Sequence, residues 1–160
     1  METNHNFKSP LGWIEIRVTS SALKQLIFAS KEPFLYENKK SKIVEDTREA
    51  LNLYFSNPKS VPDIPLLPEG TAFQKKIWKL IADIPPGETR TYYQIASQFG
   101  NPKAVRAVGT ALGQNPILIF IPCHRVIGSG GSLTGYAGGI EKKRKLLEHE
   151  GYPIQKILDL

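Results

Sequence analysis

Four prolines between Asn57 and Gly70, at positions 58, 62, 65 and 68, constrain this chain more than any other feature. Each proline lacks a backbone N–H and fixes φ, so neither a helix nor an interior strand can run through the stretch. It also lacks apolar periodicity, and it reads as a linker over 58–70 between an amino-terminal subdomain, 1–57, and a carboxy-terminal subdomain, 71–160. A length of 160 residues with 41% apolar side chains is enough to bury one core or two small ones.

Before the linker, Trp13 to Thr19 alternates, with Ile14, Ile16 and Val18 on one side and Glu15, Arg17 and Thr19 on the other, as in a half-buried strand. Leu23 to Ala29 reads as its partner. Ile43, Thr47, Ala50, Leu51, Tyr54 and Phe55 then recur at helical spacing and predict an amphipathic helix over 42–55.

After the linker the pattern is helical. Thr71-Ala72-Phe73-Gln74 and Thr91-Tyr92-Tyr93-Gln94 both have the spacing of a capping box, in which a hydroxyl and an amide side chain satisfy free backbone donors at a helix start. The first helix should bury Phe73, Ile77, Leu80, Ile81 and Ile84 and stop at Pro85-Pro86-Gly87. Gly100 can close the second in a left-handed cap, and Asn101-Pro102 opens a third. The two short helices joined at Gly100-Asn101 have helix-turn-helix spacing. In the second of them Ala104, Val105, Val108, Ala111 and Leu112 share a face, opposite a polar stripe of Lys103, Arg106, Thr110 and Gln114. Such a stripe suits a groove-facing helix, and an ordinary solvated face would look the same. The whole predicts an α+β chain, a small sheet with one helix followed by a mainly helical subdomain.

The formal charge of +6 favours a polyanionic partner, because each Lys or Arg set against a phosphate releases a counterion. The opening Met1-Glu2-Thr3-Asn4-His5 is not a basic region followed by an apolar stretch, and the run Ile117 to Ile121 is too short to span a bilayer. A reducing, cytoplasmic setting away from membranes is expected, where a free thiol survives. One cysteine and three histidines at this spacing offer no zinc set, so no metal and no other cofactor is expected.

That one cysteine follows the apolar run, in Pro122-Cys123-His124-Arg125-Val126. An imidazole beside it and a guanidinium two residues on would lower the thiol pKa and favour a nucleophilic thiolate; an inert core cysteine is the alternative. Ile140, Leu146 and Leu147 mark the buried side of a last helix, and Glu150 falls on that side, with Gly151 as the stop. A buried carboxylate needs a partner, and His124 is a candidate: a carboxylate on one ring nitrogen leaves the other to accept the thiol proton. Exposure at a frayed helix end is the alternative for Glu150. His5 and His149 carry no such context and read as surface residues. The glycine-dense stretch Gly128 to Gly139 permits close backbone approach to a ligand but does not match a phosphate-binding loop.

Taken in order, Gly100 to Gly109, Asn115-Pro116, Pro122-Cys123-His124-Arg125-Val126, Tyr136, Gly138-Gly139 and His149-Glu150-Gly151 resemble the blocks of the O6-alkylguanine-DNA alkyltransferases, over nearly all of the chain from Phe73. The resemblance implies direct-reversal repair, in which an alkyl group on O6 of guanine, or O4 of thymine, moves irreversibly to Cys123 after the nucleotide is flipped out of double-stranded DNA. It implies that the helix-turn-helix enters the minor groove and that Arg106 fills the gap. His124 would take the thiol proton through a water, and Glu150 would orient His124. Tyr92 would help rotate the nucleotide and protonate the leaving base. Asn115 would tie the recognition helix to the active-site loop. Tyr92, Tyr93, Gln74, Asn101, Lys103 and Ser129 would join Arg106 on DNA, and Val126, Tyr136, Ala137 and Lys143 would line the base pocket. Ala137 departs from a serine frequent in the family, which leaves only a backbone donor there. A monomer is expected.

Rival readings are a transcriptional regulator, for which 160 residues leave no room for an effector domain; a nonenzymatic relative lacking the nucleophile, against which Cys123 argues; and a Cys-His-Glu hydrolase, which would turn over repeatedly and need an oxyanion hole.

Overall fold

Alternation in the opening segment produces a three-stranded antiparallel meander in the computed structural model, which describes residues 2–32 and 41–153. β1 (Thr3–Ser9) pairs with β2 (Gly12–Val18), and β2 with β3 (Leu23–Phe28), with a bulge at Arg17/Val18. Ile14, Ile16, Val18, Leu23 and Leu26 are buried, and α1 (Lys42–Ser56) buries Ile43, Val44, Leu51 and Tyr54. The buried hydroxyl of Thr47 donates to Ile43 O at 2.7 Å, so the helix interior holds no unsatisfied hydroxyl there.

β1 escaped the sequence reading because its residues are mostly polar. His5, expected at the surface, is 2% exposed. It sits on β1 opposite Ile16, its Nε2 lies 2.8 Å from Thr3 Oγ1, and burial together with the charge of Arg48 holds the ring below its ordinary pKa.

The chain divides into two units, Met1–Glu69 with Pro116–Leu118, and Gly70–Asn115 with Ile119–Leu160. The proline-rich stretch thus falls within the first unit, where Leu23 N–H donates to Pro65 O and Leu67 N–H to Leu23 O. Residues 116–118 lie against the same strand: Leu26 N–H donates to Pro116 O at 2.9 Å and Leu118 N–H to Leu26 O at 2.8 Å.

In the second unit α2 (Ala72–Ile81) and α3 (Tyr92–Phe99) each start in a complete capping box. α2 ends one turn before the prolines. Ile77, Trp78 and Ile81 form its buried stripe, Ile84 is buried just beyond it, and Phe73 and Leu80 are only half-buried. Trp78 Nε1–H donates to Ala111 O at 2.8 Å, which joins α2 to α4 (Val105–Gly113). Gly100, at φ 105°, closes α3, and the Asn101 side chain caps a 3₁₀ turn, Pro102–Ala104, that leads into α4. A two-residue parallel ladder then pairs β4 (Arg90–Thr91) with β5 (Val126–Ile127), setting the start of α3 beside the segment that carries Cys123.

α5 (Ile140–His149) differs from expectation at its start. Ile140 is 45% exposed, and the buried stripe is Lys143, Leu146 and Leu147, continued by Glu150. These positions fall on one helical face at i, i+3, i+4 and i+7, with a lysine where an aliphatic residue would be expected. Among the described residues no helix is long and apolar enough to cross a membrane.

Candidate active site

Pro122 fixes the geometry from which the site grows. At φ −81° and ψ 60° it is the centre of an inverse γ-turn, closed by Cys123 N–H donating to Ile121 O at 2.8 Å. A 3₁₀ turn, Cys123–Arg125, follows. Successive side chains of such a turn diverge by about 120°, so neighbours in sequence need not be neighbours in function.

Cys123 is 4% exposed, and its Sγ accepts from Asn115 Nδ2 at 3.1 Å. The same amide nitrogen donates to Ile121 O at 2.8 Å, so both of its hydrogens are spent joining the segment just past α4 to the cysteine loop. Burial pushes the thiol up to about 11, against smaller lowering effects of the Asn115 bond and the Lys143 charge. The expectation of a thiol acidified by its sequence neighbours is therefore corrected. Desolvation dominates, and the Arg125 guanidinium points elsewhere.

It points at Glu150. Arg125 Nε donates to Oε1 at 2.8 Å, Nη2 to Oε2 at 2.9 Å, and Nη1 to Ile84 O at 2.7 Å. His124 Nε2 lies 2.7 Å from the same Oε2, and both side chains are fully buried. Burial would raise the Glu150 carboxyl, but His124 and Arg125 outweigh it and hold the group well below the usual carboxylate range. The carboxylate can only accept, so Nε2 carries the ring hydrogen in the neutral imidazole and Nδ1 offers its lone pair. Nδ1 is buried and has no hydrogen-bond partner among the described residues. Burial lowers the His124 pKa; Glu150 raises it, while Arg125 and Lys143 reinforce the lowering.

A second cluster joins Tyr92, Thr134 and Lys143. Tyr92 Oη donates to Thr134 O at 2.8 Å, and Lys143 Nζ donates to the same carbonyl at 3.0 Å and to Tyr92 Oη at 3.4 Å, 5.6 Å from the ring centroid. Lys143 is 1% exposed, and burial lowers its ammonium to about 8. Burial also raises the Tyr92 phenol.

Of the residues singled out in the sequence, the fold gathers Cys123, His124, Glu150, Asn115, Tyr92 and Lys143 in the second unit, with Val126 and Tyr136 buried there and Tyr136 edge-on to His124 at 6.4 Å. Arg106, Tyr93, Asn101, Lys103, Ser129 and Ala137 are exposed. Gln74 is half-buried, engaged in its own cap and bonded to Gln114. The stripe of Lys103, Arg106, Thr110 and Gln114 is solvent-facing throughout. Sequence reasoning missed the role of Arg125 toward Glu150 and of the Thr134 carbonyl. A buried carboxylate wanting more than one donor was the available signal for the first; a backbone carbonyl gives none. Among the described residues no group of histidine, cysteine and acidic side chains could hold a metal ion.

Comparison with known proteins follows the same lines. A family profile described as 6-O-methylguanine DNA methyltransferase, DNA binding domain, matches residues 72–152. The chain is 46% identical over 156 residues to a methylated-DNA–protein-cysteine methyltransferase of Methanosarcina mazei, covering 91% of this chain and 95% of that protein. The crystal structure of Mycobacterium tuberculosis O6-methylguanine methyltransferase superposes with a TM-score of 0.83 at 42% identity, covering 94% of this chain and 93% of that one. A structure of M. tuberculosis OGT in complex with DNA gives 0.82 at 41% identity, covering 98% and 99%.

Proposed function

Because this chain belongs to the O6-methylguanine DNA methyltransferase family, we propose that it repairs DNA by moving the alkyl group of O6-alkylguanine, and of O4-alkylthymine, onto Cys123 in a single irreversible turnover. The observation that carries the reading is the placement of the only cysteine: Sγ held by Asn115, with a carboxylate-paired imidazole next in the chain.

The pairing of His124 with Glu150 supports the following chemistry. The resting thiol is a poor nucleophile, so its proton must leave as the alkyl carbon arrives. His124 Nδ1 receives it through a bridging water, and Glu150 stabilises the imidazolium that forms. Sulfur bonds the alkyl carbon, the carbon–O6 bond breaks, and the electron pair goes to guanine, which is protonated at N3 by Tyr92. The thioether does not revert, so each protein acts once.

An O6 carbon is shielded in the stack, so the nucleotide is flipped at a cost of about a few kcal/mol, offset by contacts from the recognition helix in the minor groove. Arg106, exposed on α4, fills the vacated space; Tyr93, Gln74, Asn101, Lys103 and Ser129 contact DNA. Val126, Tyr136, Lys143 and the backbone at Ala137 line the base pocket. The protein acts as a monomer in a reducing, cytoplasmic compartment and needs no cofactor.

The test is intact mass and peptide mapping after mixing with duplex DNA carrying one O6-methylguanine. A gain of one methyl confined to the Cys123 peptide, saturating at one per protein, is expected. Binding without mass gain would leave a lesion sensor or regulator as the better reading; turnover of an acyl or amide substrate would favour the hydrolase.

A further inference from the structure

His124, Glu150 and Arg125 form a buried group with one negative charge and two side chains able to be positive. Arg125 engages both carboxylate oxygens, at 2.8 and 2.9 Å, and cannot give up its proton. The negative charge is already matched before His124 is considered, and a proton on the ring would leave a buried net positive charge. Lys143 adds to that field, the Tyr136 ring stands nearly perpendicular to the imidazole, and Cys123, the adjacent residue, is protonated at rest.

We infer that Arg125 is a positioning residue whose guanidinium claims the charge of Glu150 and so keeps His124 neutral, with Nδ1 bare, until the Cys123 proton arrives. The reasoning rests on the alkyl-transfer reading. Without Arg125, the isolated carboxylate would draw a proton onto His124, and an imidazolium has no lone pair with which to accept another. The proton balance of transfer is unchanged: one proton leaves Sγ, one arrives on the ring, and one is delivered separately to the leaving base.

The experiment is a pH titration of protein carrying ¹⁵N-histidine, with the His124 ring assigned through His124→Gln, run beside methyl-transfer rates on O6-methylguanine duplex. The wild-type ring should be neutral at pH 7 with its hydrogen on Nε2. In Arg125→Met it should be an imidazolium at that pH, with transfer slower by about tenfold or more and recovering as pH rises, a shift of about one pH unit or more in the acid limb. Arg125→Lys, which keeps the charge, should retain a neutral ring and most of the rate. An imidazolium in the wild type at pH 7 would overturn the inference even if Arg125→Met fails to fold. So would an unmoved His124 titration in Arg125→Met with rates reduced equally at every pH, the signature of a purely structural residue. Should the wild type give no methyl transfer at all, the repair reading fails, while the ring titration still reports on Arg125.

Discussion

Titrating Cys123 in the resting protein isolates what burial does to the nucleophile. Its thiol stands at about 11 against an ordinary 9.0. At about 1.4 kcal/mol per unit, this disfavours the buried thiolate by about 3 kcal/mol. At pH 7 about one molecule in ten thousand would then carry a thiolate, against about one in a hundred for an ordinary thiol. A small thiol-alkylating reagent should accordingly label the folded protein about a hundredfold more slowly than the urea-unfolded chain, before any allowance for access. The assay is ultraviolet absorbance of the thiolate across the alkaline range, with Cys123→Ser as the blank, and labelling followed by mass spectrometry. Asn115→Ala, which removes the side-chain hydrogen bond favouring the thiolate, should move the midpoint further up. Linkage fixes the accompanying stability change. A group whose folded pKa is raised stabilises the fold fully below its unfolded value and loses that contribution as pH climbs through the folded one, here between about 9 and about 11. A thiolate midpoint at or below 8 in the free protein would refute the reasoning and restore a pre-ionised nucleophile.

Other outcomes follow from the same structure. Arg106→Ala should slow transfer from duplex DNA far more than reaction with free O6-benzylguanine; equal losses on both substrates would defeat its assignment to the flipped-base gap. Gly100→Ala meets no atom within 4 Å but sits at φ 105°, so backbone strain alone should cost about 1 to 2 kcal/mol, read as a lower urea midpoint. His5 and His124 both have lowered folded pKa values, so their contribution to stability is present above about 6.5 and is lost as pH falls through the folded values. Urea midpoints between pH 7 and pH 4 should show that loss, with a shallower slope in His5→Asn.

How much of this was legible in the sequence depends on whether a signal is local. Both capping boxes, the Gly100 stop and the Asn101-Pro102 start were readable, because each is complete within a few residues and the fold keeps them. The pairing of Glu150 with His124 could be anticipated from a carboxylate on an apolar face. The Arg125 side chain was missed although a buried carboxylate wants more than one donor, because a 3₁₀ turn sends three consecutive side chains in three directions and the tertiary fold decides what each meets. β1 and the place of Lys143 on the buried stripe of α5 were hidden by composition: His5 and Lys143 are polar residues at inward positions, the first beside the Thr3 hydroxyl and the second bonded to the Thr134 carbonyl. Trp78 replaced Phe73 and Leu80 in the α2 stripe because its indole N–H finds the Ala111 carbonyl, an acceptor no periodicity reveals.

The hydrogen bonds that Leu26 exchanges with Pro116 and Leu118 also carry a cost in time. On the ribosome β3 emerges with that side of its backbone unpaired at Leu26, and the residues that occupy it there are made some ninety positions later, about 5 to 20 s at ordinary elongation rates. Through that interval an open strand edge is a template for other chains. Lowering the translation rate over the intervening codons should therefore raise the insoluble fraction of newly made protein without altering a single contact of the finished molecule.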